Sequence, residues 1–61
     1  MFIKIKEPLR SILINTDYIE EIFYCDYECT INMKSGKQIF ISNSKQIENF
    51  LSILNSHIIE V

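Results

Sequence analysis

The sequence predicts a small α+β domain: an antiparallel sheet of two β-hairpins, joined by a short helical turn and covered by one C-terminal α-helix. Three observations carry this prediction. Apolar and polar residues alternate with period two in FIKIKE at the start and again from Tyr24, as half-buried strands require. Glu7-Pro8-Leu9-Arg10 and Lys34-Ser35-Gly36 have the residue chemistry of turns. Ile47, Phe50, Leu51 and Leu54 follow the i, i+3, i+4, i+7 rule of an amphipathic helix. Sixty-one residues that are 48% hydrophobic, with one Gly and one Pro, suit a single element-dense domain over residues 1–61 rather than a disordered linker. A chain this short buries only about 60% of its unfolded surface, which makes self-association the natural reinforcement.

In the first strand Ile3 and Ile5 point one way while Phe2, Lys4 and Lys6 point the other. A type I turn over Glu7-Pro8-Leu9-Arg10, with Pro8 supplying the fixed φ of the second position, pairs Ile5 with Ile12 and Ile3 with Ile14. The apolar faces then agree and the turn ends carry opposite charges. Asp17 followed by Glu20 has the spacing of a capping box, and Ile19, Ile22 and Phe23 recur at helical intervals, which predicts a short helical turn around residues 17 to 22. From Tyr24 the alternation places Cys25, Tyr27, Cys29, Ile31 and Met33 on one face and Asp26, Glu28, Thr30, Asn32 and Lys34 on the other.

A three-residue loop Lys34-Ser35-Gly36 pairs Ile31 with Ile39 and Cys29 with Ile41, and sets Gly36 at the left-handed bulge position. A two-residue loop would mix the faces. This register strands Phe40 on the polar face. Asn43 with Gln46 three residues on has capping-box spacing for the final helix, whose four apolar side chains form the lid of the sheet. Asn55-Ser56-His57 ends it, and Ile58, Ile59 and Val61 then return as an edge strand or pack against a second subunit.

Several function classes are disfavoured by composition. The net charge is −2, and the six basic residues are scattered, whereas affinity for phosphate backbones comes from clustered Lys and Arg. No apolar stretch approaches the roughly 20 residues of a membrane span, and the alternating start is unlike a continuously apolar signal peptide, so a cytoplasmic location is expected. Cys25 and Cys29, on one strand, would share a face about 13 Å apart and act as small apolar core residues. A zinc site needs two further ligands, and the only histidine is His57. No metal and no cofactor is expected. A nucleophile would have to recruit that same histidine from a helix end, and Glu20 and Glu21 diverge on a helical turn, so the chain does not read as an enzyme.

What remains is the stretch DYIEEIFYCDYE, with five carboxylates, three tyrosines and no lysine or arginine. It reads as a partner-binding patch of Asp17, Tyr18, Glu20, Glu21, Tyr24, Asp26 and Glu28, with tyrosine supplying packing area and the carboxylates meeting a basic protein surface. The bland alternative is a solvated turn and strand with Tyr27 in the core. Phe40, Ile58, Ile59 and Val61 are the candidate self-association residues.

NTDYIEEI, INMKSGKQIFIS and the helix ending IENFLSIL together resemble the small FlbD-like proteins of bacterial flagellar operons and their short phage-borne look-alikes, over roughly Ile12 to Leu54. The resemblance implies a β-sheet capped by a helix and a flagellar or motility accessory role. Two departures stand out: Glu7-Pro8-Leu9-Arg10 replaces a Gly-containing turn, and Tyr24-Cys25-Asp26-Tyr27 replaces a short polar linker. The function expected from the residues is a non-enzymatic protein–protein interaction module, such as a phage-type inhibitor covering the basic surface of a host defence or regulatory protein. A weak nucleic-acid-binding module using Lys4, Lys6, Lys34, Lys37 and Phe40 is the further alternative, and the acidic neighbours oppose it.

Overall fold

Strand β1 (Phe2–Lys6) pairs antiparallel with strand β2 (Ser11–Asn15) in the predicted register, Ile5 opposite Ile12 and Ile3 opposite Ile14. The computed structural model describes all residues from Met1 to Val61. Pro8 and Leu9 keep negative φ, as a type I connection requires. The Glu7 N–H donates to the Arg10 carbonyl at 2.8 Å, and Arg10 Nε donates to Glu7 Oε1 at 2.7 Å.

The predicted helical turn over residues 17 to 22 does not form. A single 3-10 turn spans Thr16–Tyr18, and strand β3 (Ile19–Tyr24) begins immediately after it. Asn15 rather than Asp17 is the cap, its side-chain oxygen accepting the Asp17 N–H at 3.1 Å. The physical reason lies in the neighbours. Ile19, Ile22, Phe23 and Tyr24 are β-branched or aromatic, and pairing with strand β4 (Cys29–Met33) gives them a hydrogen-bonded ladder that an isolated helical turn cannot match.

This extra strand changes the sheet. In place of one sheet of two hairpins, the chain forms a two-stranded sheet, β1-β2, and a three-stranded antiparallel sheet, β3-β4-β5, with strand β5 over Gln38–Ile41. The strand expected to start at Tyr24 is interrupted: Tyr24 sits opposite Cys29, and the Cys25 N–H donates to the Glu28 carbonyl at 2.8 Å across the Asp26-Tyr27 connection. Cys25 and Tyr27 are therefore exposed at a hairpin end, and only Cys29 of the two cysteines is core. The β4-β5 loop is as predicted, pairing Ile31 with Ile39 and Cys29 with Ile41, with Gly36 at φ 92°. At that φ a side chain is strained, which is why glycine occupies the position.

Helix α1 (Ser44–Leu54) starts at its predicted cap, Asn43 Oδ1 accepting the Gln46 N–H at 3.0 Å. Gln46 does not close the capping box. Its Nε2 instead donates to the Lys6 carbonyl at 2.7 Å and ties the first helical turn to the end of β1. The core is built from β1, β2, β4, β5 and α1, centred on Ile14, Ile31, Cys29, Ile47 and Phe50. No residue of β3 is fully buried, and Leu51 and Leu54, expected as lid residues, are half-buried. A second 3-10 turn, Asn55–His57, ends the helix, and Ile58 to Val61 form no strand. No helix is long and apolar enough to cross a membrane.

Candidate functional site

Strand β3 has β4 on one side and no strand on the other. Its parity follows from the cross-strand rows. Ile22 aligns with Ile31 and Ile39, and Tyr24 with Cys29 and Ile41, on the face beneath the helix. Phe23 aligns with Thr30 and Phe40, and Glu21 with Asn32 and Gln38, on the outward face. A bulge between Ile19 and Glu21 makes Glu20 the extra residue, so the strand twists there and both glutamates come to the groove beside it.

That groove separates the free edge of β3 from the C-terminal half of α1. Its volume is about 380 Å³, and Ile19, Glu20, Glu21, Ile22, Tyr24, Leu51, Leu54, His57 and Ile58 line it with Thr16. Tyr24 belongs to the inward row yet remains 63% exposed, because nothing beyond the strand edge covers its ring. A neighbouring depression continues past Tyr24 and Asp26 to Ile47, Glu48 and Leu51. Glu28 lies on the other side of the hairpin end with Phe23, Cys25 and Thr30.

The charges here are uncompensated. The molecule has two ion pairs, Glu7 with Arg10 and Lys45 with Glu48, so none of Asp17, Glu20, Glu21, Asp26 and Glu28 meets a cation. Of the residues predicted for partner binding, Glu20, Glu21 and Tyr24 share the groove, Asp26 lies in the depression that continues it, and Glu28 lies on the opposite side of the hairpin end. Asp17 and Tyr18 sit on the 3-10 turn that precedes β3, where the Tyr18 carbonyl accepts the Lys34 N–H at 2.8 Å and its ring stays exposed. Phe40 and the C-terminal tail are not brought together. Phe40 lines a depression with Lys6, Pro8 and Asn43, whereas Ile58 lines the β3 groove.

The apolar wall of the groove, Ile19, Ile22, Leu51 and Leu54, was not legible as a site, since each residue reads as core. The one available signal was the width of the helix stripe, which exceeds what so small a sheet covers. His57 shares the groove, and neither cysteine lines it. Burial pushes the Cys29 thiol above its ordinary pKa, as desolvation disfavours the thiolate. No family model, curated protein or solved structure matches this chain, and no family is assigned to it.

Proposed function

We propose that this protein is a non-enzymatic protein–protein interaction module that engages a basic protein surface through β3 and its flanking carboxylates. One observation carries the reading: five carboxylates without an intramolecular cation surround a strand whose outer edge is unpaired and borders an apolar groove. The apolar wall supplies area to bury, and the negative rim speeds encounter with a positive partner and selects its sign. An inhibitor that covers the basic groove of another protein is one use of such a surface.

The test compares wild-type protein with Glu20→Lys/Glu21→Lys and with Tyr24→Ala as immobilised baits, followed by calorimetry on the partner recovered. Binding should weaken by tenfold or more at low salt in the charge reversal, and its salt sensitivity should fall. Unchanged affinity in both variants, with circular dichroism intact, overturns the reading.

A further inference from the structure

We infer that β3 binds its partner by strand addition: an extended segment that alternates basic and apolar residues pairs with the free edge over Ile22 to Tyr24 and extends the three-stranded sheet. The inference rests on the interface proposed above and specifies how that interface recognises its ligand.

The backbone sets the geometry. The Cys25 N–H faces β4, where it donates to the Glu28 carbonyl. Because amides alternate along a strand, Phe23 and Glu21 also turn theirs towards β4, while Ile22 and Tyr24 turn both N–H and C=O outward. No backbone or side-chain group of the protein satisfies that edge. The edges are managed differently in the two sheets. On β1, the outward amides belong to Phe2, Lys4 and Lys6, two of the three lysine-bearing, and Gln46 already occupies the Lys6 carbonyl. On β3 there is no lysine or proline, and the one irregularity, the bulge at Glu20, lies before the clean segment.

The side chains set the preference. A residue added opposite Ile22 or Tyr24 continues an inward row and projects over Leu51 and Leu54, so that position takes an apolar side chain. The next residue points outward beside Glu21 and Phe23, where a lysine or arginine pairs with the carboxylate and lays its stem on the ring. Charge complementarity therefore selects a basic-apolar alternation. It also disfavours the segment of residues 58 to 61 as occupant, because that segment brings a further carboxylate, Glu60, and no basic residue.

The probe is a capped synthetic octapeptide of alternating Lys and Val, titrated into isotopically labelled protein. The shifts should centre on β3, and exchange of the Ile22 and Tyr24 amides should slow by about tenfold or more at saturation. Two controls carry N-methyl groups, one on every valine amide and the other on every lysine amide. An added strand turns only alternate amides towards β3, so one control loses binding and the other retains it; which one does so gives the strand direction. Equal binding of both controls, with loss of binding in Glu20→Lys/Glu21→Lys, overturns strand addition and leaves the acidic interface standing. Absence of any shift on titration overturns it as well, while the charge-reversal comparison judges the interface separately. Protection of Ile22 and Tyr24 in the protein alone, accompanied by a dimer in sedimentation, assigns the edge to a second copy and also overturns it.

Discussion

Cys25 and Cys29 stand four positions apart and occupy opposite environments. Cys29, 1% exposed, lies in the row between Tyr24 and Ile41, while Cys25 is exposed at the hairpin end. Under native conditions near neutral pH, a thiol reagent should modify Cys25 promptly and Cys29 only on unfolding. Cys25→Ser should leave no fast-reacting thiol, and two fast thiols in the wild type would show that β4 is not packed. The same burial has an alkaline consequence. The folded pKa of Cys29 lies above its ordinary 9.0, so this thiol's contribution is fully present below that value and is lost as pH rises towards the folded pKa. Thermal melts of Cys29→Ala should accordingly fall less steeply above about pH 9 than those of the wild type. The sequence could not separate the two cysteines because their connection, Asp26-Tyr27, carries no glycine or proline and closes with negative φ throughout.

Helix α1 shows how an element can be read correctly and its faces misassigned. Its cap at Asn43 and its span follow from capping chemistry and the 3.6-residue period, but the period does not say how far across the stripe the sheet reaches. Ile47 and Phe50 are 3% and 2% exposed, whereas Leu51 and Leu54 turn towards the open groove. Phe50→Ala should therefore cost about 3 to 5 kcal/mol and Leu51→Ala about 1 to 2, half or less of the cost at a fully buried site. Chemical denaturation measures both. Equal losses would mean that the groove beside β3 is closed in solution. The β4-β5 turn was legible in full, because only one loop length keeps Ile31, Ile39, Cys29 and Ile41 on one face and gives Gly36 its positive φ. β3 was not, because the bulge at Glu20 breaks the period-two alternation of IEEIFY, while Ile19, Ile22 and Phe23 fit a helical spacing.

At the scale of the molecule, only nine of 61 residues are buried, and large apolar side chains remain outside. Phe23 and Phe40 flank Thr30 in one outward row and are 60% and 64% exposed. Aromatic side chains of this kind each carry roughly 150 to 250 Å² of surface, so the row is a substantial apolar strip on the side away from the helix. We therefore expect self-association through this face at micromolar concentration, with Phe40→Ser shifting sedimentation towards the monomer. Deleting residues 58 to 61 should leave the sedimentation unchanged, since the tail emerges beside the β3 groove and away from Phe40. A wild-type monomer would refute the expectation, and a tail deletion that dissociates the assembly would move the contact to the helix end.

The sequence by itself determined the first hairpin, the β4-β5 hairpin and the C-terminal helix, because each is fixed by residues near one another in the chain: a turn, a cap, a glycine, an apolar period. It also determined the acidic and aromatic character of the stretch from Asp17 to Glu28. Only the tertiary structure decided that this stretch is a strand, that the strand lies at an open edge, and that Leu51 and Leu54 form the far wall of a groove beside it. Those outcomes depend on pairing with β4 and on where a helix that starts twenty positions after β3 comes to rest, and no local signal encodes either.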